Sequence, residues 1–276
     1  MGDWPLHGYC SRIKHYPDGF GSGDIKISVD CTTAHEKGSW IELVASTDFD
    51  CFLFVQVYVV FSSLLFFFDI GVGAAESEVV LFPNLMVQDK TFFMVNDEFI
   101  LPVLIPAGTR ISARSQCNVT ASRTISLNVG LIEGKNFKTP FSYAHCDAYG
   151  ADETDTTGVE IDPGASADTK GAWIEITGST TEDLKGFFFR IGDKVNTALT
   201  TCYWNLDVAI GAAESEVIIV ENWGQTACGT PDRITPLHSP FFGIPIPAGT
   251  RISARAACST TSAADRLFDF VLYGVR

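Results

Sequence analysis

Basic residues are scarce. The 276 residues hold 19 Lys+Arg against 33 Asp+Glu, a formal net charge of −14. A chain of that sign repels phosphate, which argues against nucleic-acid binding as a main role. Methionine is nearly absent, with 3 residues, and no stretch sustains a capped helical periodicity. There is no Cys-x-x-Cys pair. The eight cysteines, Cys10, Cys31, Cys51, Cys117, Cys146, Cys202, Cys228 and Cys258, are scattered, which reads as reduced, mostly buried thiols rather than a disulfide framework. The opening Met1-Gly2-Asp3-Trp4-Pro5 lacks the basic and apolar regions of a signal peptide and the Ser/Thr of a myristoylation site. The sequon Asn118-Val119-Thr120 therefore reads as chance.

Signatures of chemistry are missing as well. No Gly-x-x-x-x-Gly-Lys, His-Glu-x-x-His or metal-spaced His/Cys cluster is present. Ser77 and Ser215 lack the context of a nucleophile elbow. None of the five histidines, His7, His15, His35, His145 and His238, recurs at an equivalent place in the repeat described below. Asp147, Asp152, Glu153 and Asp155 lack the spacing of a calcium loop and read as a solvated linker face. No catalytic, cofactor-binding or metal-ligating residue is nominated, and the chain is read as a non-enzyme without a cofactor.

What is present is a duplication. Ile105-Pro106-Ala107-Gly108-Thr109-Arg110-Ile111-Ser112-Ala113-Arg114 recurs letter for letter at 246–255. Gly73-Ala74-Ala75-Glu76-Ser77-Glu78-Val79 recurs at 211–217, and Lys37-Gly38-Ser39-Trp40-Ile41-Glu42 as Lys170-Gly171-Ala172-Trp173-Ile174-Glu175. The order is the same in both halves, and the offsets drift by a few residues, as short loop insertions produce. A unit of about 135 residues is too long for a solenoid repeat and suits one domain. The predicted domains are 1–137 and 138–276.

Hydrophobic residues make up 46% of the chain, Phe alone contributing 21, and they alternate in short runs between Gly, Pro, Asp and Asn. In the first copy strands are predicted near 25–30, 39–46, 51–60, 64–72, 78–87, 99–105, 110–117 and 123–132. In the second they are predicted near 158–161, 172–178, 186–191, 201–210, 216–221, 241–246, 251–258 and 266–274. Eight strands per copy predict an all-β chain of two tandem jelly-roll-like antiparallel β-sandwich domains. The apolar passage 52–68 approaches the length of a membrane span. Gln56, Ser62 and Ser63 interrupt it, and the second copy carries Arg190, Asp193 and Lys194 in the matching region. It is read as a core hairpin, with no membrane insertion, whose surplus residues Val59, Val60 and Phe61 cover a neighbouring domain or subunit.

The shared motifs have physical readings of their own. Pro106 and Gly108 suit a tight turn, after which Arg110, Ser112 and Arg114 alternate with Ile111 and Ala113. A face carrying two arginines fits either an acidic glycan or partner, or an outer strand face paired to Glu76 or Glu78; the second reading is favoured. Trp40 and Trp173 are read as packing residues rather than sugar platforms.

The ordered set Lys-Gly-x-Trp-Ile-Glu, Gly-Ala-Ala-Glu-Ser-Glu and Ile-Pro-Ala-Gly-Thr-Arg-Ile-Ser-Ala-Arg resembles a group of poorly characterised tailed-bacteriophage proteins that look like virion structural components. The resemblance covers roughly 16–133 and 149–276 and transfers no binding residue. It implies a bacteriophage virion protein of capsid-decoration, head-fibre, neck or tail type. Such a protein would self-assemble as a homo-oligomer and dock on other virion proteins, located in the virion after assembly in the host cytoplasm. The alternative is a carbohydrate-binding host-adhesion module, with Tyr9, Tyr16, Phe20, Tyr143 and Tyr149 as candidate sugar-stacking aromatics. A glycan-degrading enzyme is a third class, but nothing in the sequence ranks a carboxylate pair.

Overall fold

Alternating apolar residues bounded by turn formers build strands almost throughout. The computed structural model describes residues 12–17, 27–59, 65–88, 97–119, 122–133, 144–193, 202–227 and 239–276. The chain divides into two compact units, with the main division between Asp147 and Ala148. The 137/138 boundary read from the sequence lies outside the described residues.

The first unit holds β1 (Ile13–Tyr16), β2 (Ile27–Cys31), β3 (Ile41–Val44), β4 (Cys51–Val59), β5 (Leu65–Val72), β6 (Val79–Gln88), β7 (Asp97–Ile105), β8 (Ile111–Cys117) and β9 (Arg123–Glu133). One sheet runs β1-β9-β4-β7, with β2 also paired to β9; the other runs β3-β8-β5-β6. β4 lies along Ile125–Glu133 of β9, whereas β1 covers Val129–Ile132 and β2 covers Arg123–Leu127. β1 and β2 therefore follow one another along the edge of β9 that β4 leaves open. Lettered from β2, the sheets read B-I-D-G and C-H-E-F, the strand order of a jelly roll.

The second unit repeats the plan with β10 (Cys146–Tyr149), β11 (Val159–Ile161), β12 (Ile174–Thr177), β13 (Gly186–Asp193), β14 (Cys202–Ile210), β15 (Val217–Ala227), β16 (Ile252–Cys258) and β17 (Phe268–Val275). β10, β11 and β13 all pair with β17, and the other sheet runs β12-β16-β14-β15. The 241–246 segment stands where β7 stands in the first unit. It meets the β13 region through isolated bridges, Leu184 to Ile246 and Phe187 to Phe242, rather than a continuous strand. A four-residue helical turn, Ala263–Arg266, precedes β17.

The cores lie between the sheets of each unit. Phe68 of β5 meets Phe99 of β7 edge-on at 5.4 Å. In the second unit Phe189 of β13 meets Trp223 of β15 edge-on at 5.1 Å and also packs on Phe270 at 5.2 Å. Burying aromatic side chains of this size contributes about 2–3 kcal/mol each.

Two sequence readings change. The 52–68 passage is not a hairpin: β4 and β5 belong to opposite sheets, so the chain crosses the sandwich there. Two consecutive apolar runs pair with each other only if a turn brings them edge to edge, and here each finds its neighbours elsewhere. Elsewhere in this passage Phe52, Leu53, Val55, Val57, Phe66, Phe67 and Phe68 are buried. Val60 and Phe61, and the side chain of Val59, lie outside the described residues. Asp147, which the sequence places on a solvated linker face, instead lies in strand β10, between buried Cys146 and Tyr149.

Candidate functional site: a duplicated charged face

All three shared motifs converge on the outer face of the β3-β8-β5-β6 sheet and its counterpart. In both units a bulge follows the motif glutamate, between Glu42 and Val44 and between Glu175 and Thr177. Arg110 opens onto β8 just past its turn. Its Nε donates to Glu42 Oε2 at 2.8 Å and its Nη1 to Glu78 Oε1 at 2.7 Å. Arg251 donates to Glu175 Oε2 at 2.8 Å and Glu216 Oε1 at 3.1 Å. Each arginine also reaches the carbonyl of the turn glycine, Gly73 or Gly211, at 3.3 Å. One guanidinium thus ties strands β3 and β8 to the turn before β6. Glu78 raises the Arg110 pKa further above its ordinary value, with Glu42 adding to it. Burial pushes the Glu78 carboxyl up, but the Arg110 hydrogen bond and backbone N–H groups outweigh it and hold it below the usual range.

A second cluster centres on an aspartate. Asp69 of β5 accepts from Lys37 Nζ at 2.7 Å, Arg114 Nε at 2.8 Å and the Asn84 backbone N–H at 2.8 Å. Asp207 of β14 accepts from Lys170 Nζ at 2.7 Å, Arg255 Nε at 3.0 Å and the Asn222 N–H at 2.9 Å. The guanidinium of Arg114 lies 4.6 Å from the Trp40 ring centroid, and that of Arg255 4.3 Å from Trp173. Each pair is a cation–π contact that occupies one face of the indole.

The motif glycines are required for approach. A Cβ on Gly171 would lie 2.6 Å from the Asp162 carbonyl oxygen and 2.8 Å from that of Pro163, and one on Gly38 would collide with the Asp30 carbonyl. Gly108 and Gly249, at φ 78° and 77°, take the left-handed conformation of the Pro-Ala-Gly turn.

The favoured reading of the arginines, pairing with glutamate on a neighbouring strand, is what the structure has. Glu78 is one of the two partners named, Glu76 is exposed in the turn, and Glu42 is a partner that the sequence reading missed. Asp69 and Asp207 were also missed. Trp40 and Trp173 are half-buried packing residues. Ser77 and Ser215 close exposed turns through N–H bonds to Ala74 and Ala212.

The remaining candidates are dispersed. His15 Nδ1 lies 3.0 Å from Asn128 Oδ1, the His35 backbone N–H bonds the Cys117 carbonyl, and His145 Nε2 lies 3.3 Å from Asp147 Oδ1. Asp152 accepts from the backbone and hydroxyl of Thr154. Among the described residues no group of three His, Cys, Asp or Glu is placed to hold a metal ion. No helix among them is long and apolar enough to cross a membrane. Tyr16 lies under Lys14 Nζ, 4.7 Å from its ring centroid, and Tyr149 is buried. The exposed aromatic on the second unit's outer face is Tyr203, at 58%, not foreseen from sequence. His7, His238, Tyr9, Phe20, Tyr143, Thr120, Cys10 and Cys228 lie outside the described residues.

Cys31, Cys51, Cys117, Cys146, Cys202 and Cys258 are free thiols and buried. Burial pushes Cys31 and Cys51 up to about 12. Cys258 is held down at about 7, chiefly by the hydrogen bond from Cys202.

No family model matches the chain, and no curated protein does. Among solved structures, PNGF-II is similar at 8% identity and a TM-score of 0.35, over 90% of this chain. The chain spans 65% of that protein's length, just under two thirds. The CBM22-1–CBM22-2 tandem domain of Paenibacillus barcinonensis Xyn10C is similar at 10% identity and a TM-score of 0.25, over 96% of this chain and 90% of that one. A chain of infectious bursal disease virus, Gx strain, is similar at 10% identity and a TM-score of 0.25, over 95% and 76%. Likenesses of this size carry no argument about what the chain does.

Proposed function

We propose that the chain is a non-enzymatic structural component of a tailed-bacteriophage particle, acting by self-assembly and by docking on other virion proteins. The observation that carries the proposal is the fate of the shared motifs. Their charged side chains are turned on one another in both units, so what the two copies hold in common builds and braces a sheet. That is the pattern of a duplicated scaffold, and it agrees with the sequence resemblance to virion proteins. Two jelly rolls in tandem suit such a role, although a fold alone does not fix a function. The test is cosedimentation of the purified chain with particles lacking it, followed by locating it in the particle density. Failure to bind, together with a monomer by light scattering at high concentration, overturns the proposal.

A second reading rests on Tyr203. It stands exposed on the outer sheet face two residues from exposed Asn205, an apolar ring beside a hydrogen-bonding amide, as a sugar-binding surface has. Binding on a glycan array that is lost in Tyr203→Ala would favour the adhesion module; no binding above background would remove it.

A further inference from the structure

Lys37, Asp69 and Asn84 meet on the outer face of the first unit. Lys37 precedes β3, beside β8, and its Nζ reaches over to β5 and β6. There it lies 2.7 Å from Asp69 Oδ1 and 2.6 Å from Asn84 Oδ1. The Asn84 backbone N–H donates to the same Asp69 oxygen, and Asn84 is held at φ 51°. The site is enclosed: the Lys37 and Asp69 side chains are 12% and 3% exposed, and Asn84 is 6% exposed. An amine nitrogen in contact with a carboxamide oxygen is one carbonyl bond from the carbon it would attack. A carboxylate touching that amine is placed to take its proton. These are the groups an acyl transfer needs, brought into contact.

We infer that Lys37 and Asn84 join through an intramolecular amide bond, with Asp69 as the proton shuttle. Asp69 takes a proton from the Lys37 ammonium, giving a neutral amine and a neutral acid. The Nζ lone pair forms a bond to Asn84 Cγ, and the carbonyl π electrons move onto Oδ1. The attack leaves Nζ cationic, and it yields a proton to Asp69 as the Asp69 carboxyl gives its own to the carboxamide nitrogen. The carbonyl re-forms, the Cγ–Nδ2 bond breaks, and ammonia leaves with the electron pair of that bond. Ammonia then takes the proton from Asp69 and restores the carboxylate. One ammonium side chain and one carboxamide become one secondary amide and one ammonium ion, with no oxidant or cofactor. Arg114, on the other oxygen of Asp69 at 2.8 Å, fixes the carboxylate with Oδ1 toward Lys37 and Asn84.

The second unit is an internal control. Lys170 contacts Asp207 at 2.7 Å, but its other contact is the Asn205 backbone carbonyl at 2.8 Å, and Asn222, the counterpart of Asn84, is exposed. One bond per chain is therefore expected, a covalent strap passing over β8 and β5 to the edge strand β6.

The test is the intact mass of the purified full chain, with peptide mapping by tandem mass spectrometry. The expected mass is lower than that of the unlinked chain by one ammonia, with a branched peptide joining Lys37 to Asn84. Lys37→Arg and Asp69→Asn, each checked for folding by circular dichroism, should both lack the branched peptide. Wild-type chain with the two peptides recovered separately, or with Asn84 merely deamidated, overturns the inference. A branched peptide that persists in Asp69→Asn overturns the shuttle.

Discussion

Replacing Asp207 with alanine removes the acceptor shared by Lys170, Arg255 and the Asn222 backbone N–H. The Asp207 side chain is 2% exposed, so water has little access to the place it leaves. Two charge-assisted hydrogen bonds disappear, two cations are left beside each other, and one N–H loses its acceptor. Lys170 and Arg255 are 21% and 28% exposed and partly rehydrate, which discounts the cost of a fully buried pair. The expected destabilisation is about 2–3 kcal/mol, on the order of 10 °C in the unfolding midpoint of a domain this size. Its pH dependence identifies the cause. Burial pushes the Asp207 carboxyl up, but the Asn222 N–H, Lys170 and Arg255 outweigh it and hold it below the usual carboxylate value. The unfolded chain therefore binds this proton more tightly than the folded one. The stabilisation is complete above the unfolded pKa of about 3.9 and is lost as the pH falls through the folded value. Thermal unfolding of wild type and Asp207→Ala, followed by circular dichroism, should show the full gap at neutral pH and a narrowing gap below about pH 4. A gap that is the same at both ends of the range, or absent at neutral pH, refutes the reasoning.

Gly171→Ala should destabilise the second unit by about 1–3 kcal/mol in urea unfolding, because the new methyl meets fixed backbone oxygens of Asp162 and Pro163. A neutral result would mean that the Lys-Gly-x-Trp motif is not held by that close approach. The six described cysteines should resist alkylation in the native chain and all react in denaturant without reductant; a bridged peptide among them contradicts the free-thiol assignment.

The duplication was legible because identical letters in the same order need no structural knowledge, and alternation gave most strands of both jelly rolls, though not β1 or β10, and it made a strand of 241–246, where only isolated bridges stand. Strand partners were less legible. The 52–68 passage invited a hairpin because periodicity describes a strand's faces and says nothing of which edge it joins. β10 escaped notice because four residues, Cys-Asp-Ala-Tyr, are too few to show an alternation, and their burial does not alternate: the two ends are buried and the two between are half-buried. The Arg110–Glu78 pair could be foreseen from two motifs that face each other across a turn. Asp69 and Asp207 each stand four residues before the repeated Gly-Ala-Ala-Glu-Ser-Glu block, so the duplication aligns them, but nothing in the flanking Phe-Phe-Phe-Asp-Ile-Gly and Trp-Asn-Leu-Asp-Val-Ala, which share only that letter, names the cations each would meet. The Lys37–Asn84 contact joins residues from opposite ends of the sheet, where no spacing rule applies.

The arrangement of β9 sets the order of events when the chain is made. Its partners β1, β2 and β4 all emerge from the ribosome before it, yet β9 lies between them, pairing Ile132 with both Ile13 and Phe52. That sheet has no middle until its last strand arrives, and β17 stands in the same relation to β10, β11 and β13. Translation therefore leaves a pair of apolar strand edges waiting through most of each domain's synthesis, a long-range closure of the kind that folds slowly. Codon usage or chaperone capture that lengthens the wait before β9 or β17 should lower soluble yield more than the same delay placed just after them.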